Sequence, residues 1–213
     1  MSGAGPQAVP VRPPIAAEDQ ARANFYALLG RLYGDAPDTA LLRTIAAADE
    51  LPIAVAEGPA YDLGEAWRTL IAASAAMDAD AASQEYIDLF VGVGKSEVGV
   101  HASGYLSHAG GSVLAELRAE LARLGLGRQE GVSMYEDHLA AVCETMRVLA
   151  GGAPGIEPFP FSEQRSFFMA YVSPWVPECC NAIISSAIAN YYRRVAELTQ
   201  LFVAIERDSF AIE

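Results

Sequence analysis

Lysine is almost missing from this sequence: Lys95 stands beside 13 arginines against 27 acids in 213 residues, for a formal net charge of −13. So little positive charge argues against nucleic acid, whose phosphates would be repelled, and permits a basic peptide or protein as partner. Cysteine is scarce as well. Cys143, Cys179 and Cys180 are odd in number, two are adjacent, and no C-x-x-C or zinc-like spacing joins them, which fits a reducing, cytoplasmic compartment. Hydrophobic residues make up 52% of the chain, yet no run approaches the eighteen or so apolar residues of a membrane span, so no stable membrane insertion is expected. The first sixteen residues carry Arg12 as their one charged side chain and lack the apolar centre of a secretory signal; residues 1–16 read as a disordered lead. Strand alternation and internal repeats of fixed period are also wanting, which sets aside sheets and solenoids.

Helical periodicity is what remains, and it predicts an all-α, single-domain bundle of about eight helices over residues 17–213. Ala21, Phe25, Leu28 and Leu32 make a first stripe that stops at Gly34, and Asp38 caps a short second helix. Leu63, Trp67, Leu70 and Ser74 mark a third, and Ser83 to Val91 a fourth that ends at Gly92. Leu114, Leu117, Leu121 and Leu124 rebuild the stripe as far as Gly125. Ser162 reads as the cap of a helix carrying Phe167, Phe168 and Tyr171. From Ile184 to Ile205 the apolar step persists through a long terminal helix, with a break at Ser185-Ser186.

Between the fourth and fifth stripes lies a long loop, residues 92–105, with four glycines; loops of that length inside a compact domain lean towards function. Within it, Gly92-x-Gly94-Lys95-Ser96 has the residue types of a phosphate loop but lacks the first glycine and the preceding strand, so nucleotide chemistry is not supported. His101, His108 and His138 have no metal-ligand spacing, and no G-x-S-x-G elbow is present. Neither a metal nor another cofactor is implied.

The richest stretch is Ser133-Met134-Tyr135-Glu136-Asp137-His138-Leu139-Ala140. Ser133 and Glu136 have the spacing of a capping box, which predicts a helix start at Ser133. Tyr135, Leu139, Val142, Met146 and Leu149 then form its buried stripe, with Asp137 pointing away and His138 on the edge. First-turn acids suit the helix dipole, and a histidine beside an apolar face is commonly a packed residue. An acid/base pair of Asp137 and His138 is the competing reading; neighbours on a helix diverge by about 100 degrees, which disfavours it. Around both irregular stretches stand Trp67, Tyr86, Phe90, Tyr105, Tyr135, Tyr171 and Trp175, aromatics that with nearby acids would suit a peptide carrying arginines and an apolar segment.

Taken in order, Glu85-Tyr86-x-x-Leu89-Phe90-Val91-Gly92, Glu97-Val98, Ser103-x-Tyr105-Leu106, Glu136-Asp137-His138-Leu139-Ala140, Pro174-Trp175 and Tyr191-Tyr192-Arg193-x-Val195-Ala196-x-Leu198 resemble the TorD/DmsD-type, NarJ-related redox enzyme maturation chaperones. The resemblance covers nearly all of the chain after residue 20. It implies a cytoplasmic protein, not an enzyme, that binds the twin-arginine signal peptide and apo form of a molybdopterin-containing oxidoreductase subunit before Tat export. It further implies a peptide site at Tyr86, Glu97, Ser103, Tyr105, Asp137 and His138, with Trp67 and Trp175 beside them, and a monomer or helix-swapped dimer. Gly99-Val100-His101 replaces the Pro-aromatic pair frequent in relatives, which makes that wall smaller. A helical small-ligand binder or enzyme using Asp137 and His138, and a scaffold without a ligand site, are the alternatives.

Overall fold

The computed structural model describes residues 15–52, 55, 57–106 and 112–212. The lead expected over 1–16 lies outside the described residues as far as residue 14, as does His108. Among the described residues the regular structure is entirely helical, with nine α-helices where about eight were expected. They are α1 Ala17–Gly34, α2 Thr39–Ala46, α3 Pro59–Ala76, α4 Ala79–Tyr86, α5 Val113–Arg123, α6 Leu139–Gly151, α7 Phe161–Tyr171, α8 Val176–Ser185 and α9 Tyr191–Ala211. A π-helical turn, Ile87–Val91, extends α4, and a 3₁₀ turn, Ala102–Gly104, sits in the long loop.

Local signals set most boundaries. Asp38 caps α2 by accepting the Leu41 N–H at 2.7 Å. The expected break in the terminal helix is real: α8 ends at Ser185, and α9 restarts at Tyr191. That restart is held by a distant carboxylate. Glu85 of α4 accepts the N–H groups of Asn190, Tyr191 and Tyr192 at 2.8, 3.1 and 2.8 Å, so a side chain far along the chain satisfies donors the helix leaves free.

The core forms where α1 packs on α6 and α9 packs on α3 and α8. Of the predicted stripe in α1, Leu32 is buried, Phe25 and Leu28 are half-buried and Ala21 is exposed, while Tyr26, Leu29 and Tyr33, one position further along, are buried. Gly151 abuts Ala23 so closely that a Cβ there would lie 2.8 Å from the alanine's. Beside this contact, in the same N-terminal half of α1, runs a buried polar clamp. Arg22 places Nε and Nη2 on the Glu206 carboxylate at 2.8 and 2.9 Å, Tyr26 donates to the same carboxylate at 2.9 Å, and the guanidinium lies 5.0 Å from the Phe210 ring centre. Burial pulls the Arg22 pKa down, but the bond and charge of Glu206 outweigh it and leave it raised.

Three helix starts differ from expectation: α4 begins at Ala79 on an Asp78 cap and not at Ser83, α7 begins at Phe161 so that Ser162 lies inside it and does not cap it, and α6 differs most. The helix predicted to start at Ser133 starts at Leu139, with His138 as its cap. Ser133 is exposed, Tyr135 is 53% exposed instead of buried, and Glu136 pairs with Arg118 at 3.0 Å rather than closing a capping box. The reason is tertiary: residues 137–139 are drawn out to pair with the 98–106 loop, and backbone bonds across that junction replace the local cap.

Candidate functional site

The junction between the long loop and the start of α6 is built from two short extended pieces. Leu139 donates its N–H to the Val100 carbonyl and Ala102 donates to the Asp137 carbonyl, both at 2.8 Å, so His101 and His138 face each other across an antiparallel bridge. Val98, Val100 and Ala102 turn inward and are buried, which gives this glycine-rich loop an apolar underside of its own. Its entrance is equally fixed. Val98 donates to the Leu89 carbonyl at 2.9 Å, and Gly92, at φ +64°, bends the chain so tightly that a Cβ would meet the Lys95 carbonyl oxygen at 2.2 Å. Only glycine fits that turn.

Asp137 and His138 lie beneath the loop. Asp137 is 2% exposed, and its Oδ2 accepts the Ser103 N–H at 3.2 Å at the head of the 3₁₀ turn. His138 is 9% exposed; its Nδ1 accepts the Ala140 N–H at 3.1 Å, so that nitrogen is unprotonated in the cap. The imidazole stands edge-to-face on His101 with ring centres 4.9 Å apart. Burial and, after it, the neighbouring His101 together lower the His138 pKa to about 4 against the opposing pull of Asp137. With Nδ1 committed to the cap and Asp137 turned to a backbone N–H, the two side chains hold the loop from below.

Tyr105 closes the far side. Its hydroxyl donates to the Gly99 carbonyl at 2.7 Å, and the Cys179 thiol donates to the same oxygen at 3.5 Å. Its ring leans on Trp175, centres 5.6 Å apart, and the buried Trp175 donates its indole N–H to the Tyr171 carbonyl at 2.6 Å. Burial pushes the Cys179 thiol up to about 11, so it sits there as the neutral thiol. Thus Ser103, Tyr105, Asp137, His138 and Trp175 come together at one junction, with Glu97 exposed at its entrance.

Tyr86 and Trp67 are placed differently. Tyr86 is buried in a ring cluster with Phe90 and Tyr192, 5.3 and 5.8 Å away, and donates to the Tyr33 carbonyl at 3.2 Å. Trp67 donates to the Asp49 carbonyl at 2.9 Å and packs edge-on to Phe25, between α3 and α1. What the junction offers outward is Glu97, Gly99, Ser103 and Gly104, next to the exposed apolar side chains Ile87, Val91 and Val93 of the π-helical turn and the residues after it. That turn, the pairing of His138 with His101 and the Cys179 contact leave no local signal in the sequence. A π-helical turn closing a helix often marks a working surface, but no residue pattern here announces it.

On the reverse face of residues 134–140 a groove of about 730 Å³ opens between α1, α6 and the 126–136 connection. Its floor is Ala27, Gly30, Gly34, Ala140 and Ala141. Among the described residues no cluster of three or more His, Cys, Asp or Glu side chains could hold a metal ion, and no helix is long and apolar enough to cross a membrane.

An all-helical bundle with a loop latched over its sixth helix and an outward apolar and acidic rim has the build of a protein that engages another chain. Comparison with family models makes this specific. Residues 56–181 match the model described as nitrate reductase delta subunit, and since this is more than half of the sequence, the chain belongs to that family of molybdoenzyme maturation chaperones. No curated protein matches it significantly.

Proposed function

We propose that this chaperone works in the cytoplasm by binding the twin-arginine signal peptide of a molybdopterin-containing oxidoreductase subunit, holding that subunit back from Tat export until its cofactor is inserted. The observation that carries the reading is the latched loop with its outward rim: Ile87, Val91 and Val93 exposed beside Asp88 and Glu97 in a chain of net charge −13. A signal peptide brings two guanidinium groups and an apolar segment, which such a rim accommodates by charge pairing and area burial. Glu97 makes no ion pair among the described residues and is free to receive an arginine. Asp137, His138, Tyr105 and Trp175 serve the site by fixing the loop's course, and Ser103 presents its hydroxyl from the 3₁₀ turn. Tyr86 supports the π-helical turn from beneath, and Trp67 braces α3 behind it.

A disordered peptide loses conformational freedom on binding, so moderate affinity is expected. Titration calorimetry with a synthetic Arg-Arg signal peptide tests the reading. An exposed charge pair is worth about 0.2–1 kcal/mol, so Glu97→Gln should weaken binding up to roughly fivefold at low salt, with the difference shrinking as salt rises. Asp137→Ala with His138→Ala should weaken binding further while helical circular dichroism is retained. If neither variant changes the affinity, or if a Lys-Lys peptide binds as well as the Arg-Arg one, the site assignment fails.

A further inference from the structure

The groove behind residues 134–140 has no role in the reading above, and its charge differs from that of the rest of the protein. Its floor is formed by α1 and α6, which run antiparallel with Gly34 against Ala140 and Ala23 against Gly151, and its far wall by Leu121, Leu126, Val132 and Met134. Val132 is 45% exposed, so the wall presents apolar surface to solvent. Around that surface the carboxylates are already taken. Glu144 holds Arg147 through two bonds of 2.7 Å, and Glu136 holds Arg118 at 3.0 Å, which leaves Arg128 3.8 Å away from it. Arg31, exposed on α1, makes no ion pair among the described residues. Arginine therefore exceeds glutamate on the rim of the groove, in a chain where acids outnumber Lys and Arg by 27 to 14.

We propose that this groove docks a short amphipathic helix of a partner protein, one whose narrow apolar face is flanked by Asp or Glu. Charge complementarity selects the sign. Arg31 on the α1 side and Arg128 on the side of the 126–136 connection have no carboxylate committed to them, and guanidinium groups pair best with carboxylates. Shape selects the helix. The floor runs about 10 Å along α1 from Ala27 to Gly34 and about 12 Å along α6 from Ala140 to Val148, which matches roughly two turns. Two packed helices leave between them a crease that a third fills with apolar residues at i, i+3, i+4 and i+7. An arginine-bearing segment meets like charge here, whereas Asp88 and Glu97 receive it on the loop face. The two faces thus carry opposite preferences, and the groove's occupant is independent of signal-peptide binding.

Titration with a defined probe tests this. The probe is a synthetic peptide of about 15 residues with Leu and Ala on one helical face and Glu along both flanks; its control has Lys in place of every Glu. NMR of the full chain follows the amides of Gly30 and Gly34 on the groove floor and of Gly99 and Gly104 on the loop face. The Glu peptide should move Gly30 and Gly34 to saturation, leave Gly99 and Gly104 in place, and bind more weakly as salt rises. Two exposed charge pairs together contribute about 2- to 30-fold in affinity, so Arg31→Gln with Arg128→Gln should weaken the Glu peptide by that factor. Arg31→Glu with Arg128→Glu should make the Lys peptide the tighter of the two. Ala141→Trp, which fills the floor from a half-buried position, should abolish the Gly30 and Gly34 shifts; both arginines are exposed, so their exchange is decisive even where the tryptophan disturbs the fold. No shift at Gly30 and Gly34 at millimolar peptide, a Lys peptide that binds the native chain as well as the Glu one, or a preference unmoved by the arginine exchange would overturn the proposal. Shifts there that grow with protein concentration alone would give the groove to a second copy, and shifts caused by an Arg-Arg signal peptide would give it to that ligand; either result overturns the proposal equally.

Discussion

Acidification should loosen the latch between the 98–106 loop and α6 through one side chain, His138. A free histidine titrates near 6.5, and burial holds His138 at about 4. The folded state therefore disfavours the proton that the unfolded chain takes up readily. The stability associated with the neutral ring is complete above pH 6.5 and is lost as the pH falls from 6.5 to 4, after which no more is lost at this site. The whole drop corresponds to roughly 3 kcal/mol, of which about 2 kcal/mol is already gone at pH 5. The chemistry of the loss is local. Protonated Nδ1 can no longer accept the Ala140 N–H, and the charged ring is pressed against His101, with only Asp137 to favour it. Urea unfolding followed by circular dichroism at pH 7, 6 and 5 measures this directly, provided the many carboxylates are cancelled by comparison with His138→Asn, which caps a helix without titrating. The native chain should lose about 2 kcal/mol more than the variant between pH 7 and 5. Equal losses in the two proteins would refute the account. His101→Phe, which removes the neighbour that lowers the pKa, should shrink the difference.

Other perturbations follow from the packing. Glu206→Gln leaves Arg22, packed against Phe161 and Phe210, with only the more exposed Asp19 as counter-charge, and should cost up to about 3 kcal/mol, or up to roughly 12 °C in a thermal melt. Glu85→Ala removes the acceptor of three N–H groups at the start of α9 and should cost about 1–2 kcal/mol by urea unfolding. Two helical glycines should respond oppositely to alanine. At Gly151 a Cβ meets the Ala23 Cβ at 2.8 Å and destabilises by about 1–3 kcal/mol, whereas at Gly30 the nearest atom is 3.6 Å away and the better helix former gains up to about 1 kcal/mol. Urea unfolding of both variants checks the contrast, and equal behaviour would contradict the packing described.

The candidate site was only partly legible. The loop's extent and the turn at Gly92 are visible because glycines cluster there, and Ser103, Tyr105, Asp137 and His138 are grouped by their resemblance to the family's motifs. That Asp137 and His138 face inward is not visible, since nothing local tells a helix's first turn from an extended piece about to pair with a loop. A Ser133–Glu136 box would satisfy the first donors of a helix begun at Ser133, whereas the bridge gives the Leu139 and Ala102 N–H groups their acceptors, and the bridge prevails because it also buries Val98, Val100 and Ala102. Nor does anything in the sequence reveal that His101 is the partner of His138 or that Glu85 caps a helix a hundred residues later.

By itself, then, the sequence determined the helical class, the stripes at which most helices begin and end, the break at Ser185-Ser186 and the residues that mark the family, because periodicity, caps and glycines act within a few residues of one another. Tertiary structure alone decided which way Asp137 and His138 point, where α6 starts, that Tyr86 and Trp67 stand behind the site, and that a groove lies between α1 and α6. Those outcomes depend on which distant carbonyl, carboxylate or ring arrives to satisfy a group, and such long-range partners leave no local trace in the chain.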